Sequence, residues 1–300
     1  MKKLLFFIPL FLWTCGGGDG SSPTESESEV SVPLPTAQDI IIPLKFHIFH
    51  YRTDVLDSLS VDVIKDRFLN LNLNFKGLNS SINEIPKEAN PSNAPYEPGV
   101  DYSFFDDVGQ HNVQFVGVSG AVYPEDLMIG VDIIWHRVDG IFQQPSHASS
   151  YLRSNFDTEG ILNVVIADFP GMAGQAFGPN VAVVSYGQTR QDIFGDNLLT
   201  HEVGHLFGYS HTFDYCENRG WSDVPKQSSP NTINQNIGVY KHNGRYYASG
   251  ALNTCGEPDQ FMNYMDYTWH QGRMFSKDQV VEGMQFIQNY NWNTVSLKLD

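Results

Sequence analysis

Residues 201–211, HEVGHLFGYSH, constrain the fold of this chain more than any other stretch. His201 and His205 are four residues apart, so on a helix their imidazoles project from one face, one turn apart. Two imidazoles placed in this way can bind one Zn²⁺ at about 2.0–2.1 Å each. Gly208 can adopt a positive φ at little cost and end the helix, which lets His211 return toward the same ion. The spacing predicts a helix, a glycine turn and a three-histidine zinc site.

Glu202 follows the first histidine directly, about 100° around the predicted helix, beside the ion but not pointed at it. A general base that acts on a water molecule at the ion belongs in this place. Three histidine ligands leave a fourth coordination position open, which is typical of catalytic zinc sites. Two alternatives stay open, namely a helix with incidental histidines and a zinc site that binds the ion without catalysis.

Hydrophobic periodicity predicts the strands and one of the helices before the histidine motif. Alternation in IIIPLKFHIFHY predicts a first strand, and helical spacing over 60–75 predicts a helix with Ser60 as its N-cap. A short helix is expected over 146–155. Four apolar runs predict further strands, at 113–118, 131–138, 161–169 and 181–186.

Capping signals predict the remaining helices. Asp196 or Asn197 can cap the helix of the histidine motif, and Ser276 with Gln279 forms a capping box before the terminal helix. Residues 212–275, between these two helices, are expected to be irregular. The order of elements predicts an α+β domain whose sheet carries helices and whose C-terminal half is rich in loops. A loop of this length needs a structural cause, and a disulfide with a neighbouring metal ion would supply one.

The first residues have the composition of an export signal. Residues 1–14 combine two lysines with an apolar run of about ten residues, about half of what a helix needs to cross a bilayer. Cys15 directly follows this run and is predicted to carry a lipid, with plain secretion as the alternative. Residues 15–38 are rich in Gly, Ser, Pro and Glu and are predicted to form a flexible tether. Residues 39–300 are predicted to form the folded domain.

Only two cysteines fall within the predicted domain. If Cys15 is acylated or removed, Cys216 and Cys255 are an even pair in an exported protein, and a disulfide between them is expected. Two free thiols are the alternative.

The charge balance argues against nucleic acid as a partner. The chain has 34 acidic and 18 basic residues and a net charge of -16, which opposes a phosphate-binding surface. A membrane is expected as a partner only through the predicted lipid, and the sequence gives no indication of the oligomeric state.

The histidine motif continues as HExxHxxGYSHTF and resembles that of the pappalysin-like (cytophagalysin) metzincins. The two cysteines that flank the following loop, and the later sequence NYMDY, are also similar to features of this family. The resemblance implies a zincin-like catalytic domain with a twisted, mostly parallel sheet, a backing helix and an active-site helix. It also implies a loop-rich C-terminal subdomain that ends in a helix. By resemblance Met265 forms the Met-turn and Tyr267 stabilises the oxyanion. The zinc ligands, the general base and the disulfide predicted above match the family as well.

The resemblance implies an exported or surface-anchored, zinc-dependent metalloendopeptidase with one catalytic ion and with proteins or peptides as substrates. A catalytically silent protein that uses this fold to bind other molecules at the cell surface is the alternative. Some relatives bind Ca²⁺ near the loop after the first cysteine. Only WSDVP, at residues 221–225, resembles that loop, so a calcium site is left open.

Overall fold

A computed structural model describes residues 34–51, 59–95, 97–103, 107–120, 130–189, 192–213, 216, 220–232, 237–268 and 271–297. The predicted signal peptide, the lipid attachment at Cys15 and most of the tether lie outside the described residues. Of the helices that can be described, none has both the length and the apolar character needed to cross a bilayer.

A six-stranded, mostly parallel sheet forms the centre of the fold. Its strands are β1 (Ile40–His50), β2 (Val113–Gly117), β3 (Ile133–Arg137), β4 (Leu162–Ala167), β5 (Gly174–Phe177) and β6 (Val181–Ser185). The order is β2-β1-β4-β6-β5, and β3 pairs with the second half of β1, beyond the part that pairs with β2. Only β5 runs antiparallel to its neighbour, β6. The predicted fold class, with its mostly parallel sheet, is confirmed.

The central strands are apolar because both faces of the sheet are covered. Every residue of β4 and β6 is buried, as expected for parallel strands between two layers. On one face Leu44, Phe46 and Ile48 belong to the main core. On the other face Phe49 packs in a second hydrophobic cluster.

The helices of the described chain are α1 (Val61–Lys76), α2 (Pro145–Asn155), α3 (Tyr186–Thr189), α4 (Asp192–Leu206) and α5 (Lys277–Asn289), with a short 3-10 helix at Ser80–Glu84. The Ser60 side chain accepts a hydrogen bond from the backbone N–H of Val63, which confirms the predicted N-cap. Both bonds of the capping box between Ser276 and Gln279 are present. Helix α1 packs against α4, and α4 also packs against β5 and β6.

Helix α4 begins before the residues expected to cap it. Asp192 is its first residue, so Asn197 lies inside the helix, and the predicted cap is wrong. The side-chain amide of Asn197 instead donates to the carbonyl of Gly272, at 3.3 Å. Asn197 thus forms a hydrogen bond with a distant segment of the chain and does not act as the N-cap that the sequence suggested.

The stretch expected to be irregular contains a β-hairpin. Strands β7 (Gly238–His242) and β8 (Arg245–Ser249) pair antiparallel. Asn243 and Gly244, with φ of 51° and 81°, form the two-residue turn between them. Asn-Gly is the preferred pair for such a turn, so the sequence contained the signal for this hairpin. A disulfide joins Cys216 to Cys255, as predicted.

Candidate metal centre

The end of helix α4 brings the three histidines of the motif together. Gly208, two residues after the end of the helix, has a φ of 91°, and the chain turns back so that His211 faces the two helical histidines. Nε2 of His205 lies 3.1 Å from Nε2 of His201 and 3.1 Å from Nε2 of His211. The potential ligand atoms of all three residues lie within 4.8 Å of one another.

Hydrogen bonds fix the tautomers of the two helical histidines. Nδ1 of His201 lies 2.7 Å from the carbonyl oxygen of Tyr264, and Nδ1 of His205 lies 2.7 Å from that of Tyr209. A carbonyl oxygen can only accept, so both Nδ1 atoms donate. Burial lowers the pKa of both imidazoles, which favours their neutral form. In a neutral imidazole that donates from Nδ1, the Nε2 atom has a lone pair and no proton.

Two lone pairs therefore meet at 3.1 Å between His201 and His205, and this contact is not a hydrogen bond. A cation between the two acceptors would stabilise such an approach. Two nitrogens bound to one tetrahedral Zn²⁺ at about 2.0–2.1 Å lie about 3.3–3.4 Å apart, within about 0.3 Å of the observed distance. The donor set and its spacing fit a zinc ion.

Glu202 lies in a dry environment beside the three histidines. It is only 5% exposed, and this burial raises the pKa of its carboxyl group to about 8. Its side chain approaches β5 closely, because a Cβ atom built on Gly174 would lie 2.7 Å from Glu202 Oε1. A carboxyl group with a pKa near neutrality, beside a metal site, can accept and return a proton.

A cleft of about 850 Å³ contains the histidines and Glu202. Gly174, Gln175 and Ala176 of β5 line one side, and Thr232 and Tyr267 also contribute to the lining. In the described part of the sheet β5 is the terminal strand, and its only partner strand is β6. The other edge of β5 therefore pairs with no strand among the described residues.

The structure also places the two residues of the predicted Met-turn region near the centre. Met265 is fully buried, and its sulfur would lie 2.7 Å from a Cβ atom built on Gly204, in the middle of the histidine motif. The ring of Tyr267 meets that of His211 edge to face, with centroids 4.9 Å apart. His211 also stacks on Phe213, with centroids 4.7 Å apart, and the Phe213 ring in turn contacts Tyr267.

The residues that orient the helical histidines, and the glycine that leaves room for Glu202, were not predicted from the sequence. Tyr209 and Tyr264 act through backbone carbonyls, which every residue has, so no sequence signal marks them. Gly174 acts through its missing side chain, and only the approach of Glu202 shows its role.

Together the fold and the three-histidine centre define a class, the metzincin-type metalloproteases. The family model described as pregnancy-associated plasma protein-A, peptidase family M43, matches residues 151–288. This segment includes β4 to β6, the histidine motif and most of α5. The resemblance to the pappalysin-like metzincins is thus confirmed, and residues 151–288 match the model of this metalloprotease family.

Solved structures share the fold at low sequence identity. Mature mirolysin from Tannerella forsythia in complex with a cleaved peptide is 17% identical, with a TM-score of 0.61, over 85% of this chain and 98% of that one. Mirolysin in complex with compound 9 is 18% identical, with a TM-score of 0.61 and the same coverage. A point mutant of Tannerella forsythia promirolysin is 17% identical, with a TM-score of 0.63, over 87% and 83% of the two chains. Among curated proteins, none matches the sequence.

Proposed function

We propose that the chain is an exported zinc endopeptidase. The observation that carries this proposal is the meeting of the Nε2 atoms of His201 and His205 at 3.1 Å, with His211 as the third donor and the Glu202 carboxyl group beside them. His201, His205 and His211 would hold the ion and leave its fourth position open. Export is supported by the disulfide, which is typical of proteins in oxidising compartments.

The substrate would be a peptide in extended conformation. Strand β5 is the terminal strand among the described residues, and three of its residues line the cleft. A peptide can add to such an edge through main-chain hydrogen bonds, which places its carbonyl groups along the cleft. Mature mirolysin, which has the same fold, is in complex with a cleaved peptide.

The chemistry divides between the ion and the side chains around it. Bound zinc would polarise the scissile carbonyl group and acidify a water molecule. Glu202 takes the proton from the attacking water and delivers it to the nitrogen of the leaving amine. Tyr267, which contacts the His211 ring, donates a hydrogen bond to the carbonyl oxygen as negative charge develops on it.

The Glu202→Ala variant tests this proposal. Because the glutamate is not a ligand, the variant should retain one zinc ion per chain by elemental analysis. Hydrolysis of fluorogenic peptides should fall by about 10³-fold, as expected for the loss of a general base. Equal rates for the parent and the variant would rule out the mechanism. Zinc binding by a parent that cleaves nothing in a broad peptide library would instead favour the silent, surface-binding alternative.

A further inference from the structure

We propose that Asn74 and His111 are positioning residues for two of the metal ligands, and that they act through the side chains of Tyr264 and Tyr209. This inference rests on the proposed zinc site. Both tyrosines accept a hydrogen bond from a ligand imidazole through their carbonyl groups, and both phenol hydroxyls are bonded to a buried polar side chain. The orientation of each carbonyl thus depends on a contact deep in the core.

The first path begins at His201. Its Nδ1 donates to the carbonyl of Tyr264, whose hydroxyl donates to Oδ1 of Asn74 at 2.8 Å. The amide nitrogen of Asn74 then donates to Oγ1 of Thr200 at 2.9 Å. Since Thr200 directly precedes His201, Asn74 binds both the helix that presents the ligand and the tyrosine that orients its ring.

The second path begins at His205. Its Nδ1 donates to the carbonyl of Tyr209, whose hydroxyl lies 2.5 Å from Nε2 of His111. Nδ1 of His111 lies 3.0 Å from the carbonyl oxygen of Phe75 and must donate to it. Burial lowers the pKa of His111 to about 4 and so keeps the ring neutral. Its unprotonated Nε2 therefore accepts a hydrogen bond from the hydroxyl of Tyr209. The chemistry of the acceptors therefore fixes the direction of every bond in this path.

Both paths end at adjacent residues of the backing helix. Asn74 and Phe75 belong to the last turn of α1, and the backbone N–H of His111 also donates to the carbonyl of Phe75, at 2.9 Å. One short segment thus sets the positions of both carbonyl acceptors relative to α4. Partners of this kind, which bond the far nitrogen of a ligand histidine and fix its ring, strongly affect metal affinity.

His211 provides an internal comparison. Its ring is contacted by Phe213 and Tyr267, and neither of the two paths includes it. We therefore expect changes in Asn74, His111 and their tyrosines to alter two of the three ligands. The changes should appear as weaker binding of the ion and as an altered geometry of its site.

The test uses Tyr264→Phe and Tyr209→Phe in the full chain, because each variant loses one hydroxyl and keeps the carbonyl. Competition with a chromogenic chelator should show zinc bound about tenfold more weakly by each variant, in line with other partners of ligand histidines. The visible absorption of the Co²⁺-substituted protein should also change. Tyr102→Phe is the matched control, since Tyr102 is 1% exposed, bonds Glu97 and packs in a separate cluster. It should bind zinc like the parent.

Parental zinc affinity and parental Co²⁺ spectra in both tyrosine variants would overturn the inference and leave the zinc site intact. A parent that binds no zinc would overturn the proposed function, and this inference with it. If Tyr264→Phe does not fold, Asn79→Ala addresses the same hydroxyl from a half-buried position, because the Asn79 amide donates to it at 3.0 Å. A measurable loss of zinc affinity in Asn79→Ala supports the first path, and parental affinity contradicts it.

Discussion

Replacing Gly174 with alanine should impair catalysis and leave metal binding intact. A Cβ atom at this position would lie 2.7 Å from Oε1 of Glu202, 2.9 Å from its Cγ and 2.9 Å from the carbonyl oxygen of Val183. The Val183 carbonyl belongs to β6, which pairs with β5 at this point, so it cannot move without disturbing the sheet. The side chain of Glu202 must therefore give way.

The magnitude follows from the distances. Ordinary van der Waals contact begins at 3.4 Å, so the carboxylate oxygen has to retreat by the difference from 2.7 Å, about 0.7 Å. A misplacement of 1 Å in a catalytic group can cost about 100-fold in rate. We expect kcat/KM to fall by about 10- to 100-fold. Zinc content should stay at the parental value, because the three atoms nearest to the new methyl group belong to Glu202 and Val183 and to none of the histidines.

Fluorogenic peptide kinetics, elemental analysis and thermal unfolding test this expectation. Gly140→Ala is the control, because its Cβ atom would meet nothing within 4 Å, and it should have parental kinetics. A second control combines Gly174→Ala with Glu202→Ala. In the double variant the methyl group still meets the Val183 carbonyl oxygen but has no catalytic base to displace, so this variant should be no slower than Glu202→Ala alone. Parental kcat/KM in Gly174→Ala would show that the close approach has no bearing on the base.

Three further perturbations test the surroundings of the site. Gly204→Ala would place a Cβ atom 2.7 Å from the Met265 sulfur, and this overpacking should lower the free energy of unfolding by about 1–3 kcal/mol in denaturant titrations. Burial lowers the pKa of His47 and His111 to about 4. Below about pH 6.5 these histidines therefore bind protons in the unfolded chain while they remain neutral in the folded one, which favours unfolding. Each residue should remove about 3 kcal/mol of stability by pH 4, and His47→Gln should flatten the pH dependence of thermal unfolding. Free zinc at 100 times its Kd should stabilise the fold by about 2.7 kcal/mol, so an unchanged Tm after chelation would contradict binding.

Local signals predicted that the three histidines of the motif lie close together. The spacing of His201 and His205 needs only helix geometry, and the return of His211 needs only the positive φ of Gly208. These features depend on neighbours in sequence, so they can be read without knowledge of the fold. The same holds for the caps of α1 and α5.

Features that depend on distant partners were missed. Strand β5, GQAF, has too few apolar residues for a strand signal, and pairing with β6 defines it. The extension of α4 to Asp192 places Asn197 against Gly272 of a remote segment. By contrast, the hairpin at Asn243 was predictable, because its turn chemistry is local.

The LNLNF sequence at the end of α1 shows what separates the features that the sequence predicts from those that it does not. Asn72 and Asn74 are two residues apart, so on a helix they point about 200° away from each other, and both are buried. Oδ1 of Asn72 accepts from the backbone N–H of Phe115 in β2, whereas Asn74 bonds Tyr264 and Thr200. Two buried amides on opposite sides of one turn cannot both be satisfied by the helix itself. The sequence could therefore have predicted a polar contact on each side of α1, but only the fold identifies Tyr264 and Thr200, beside the candidate ligand His201, as the partners of Asn74.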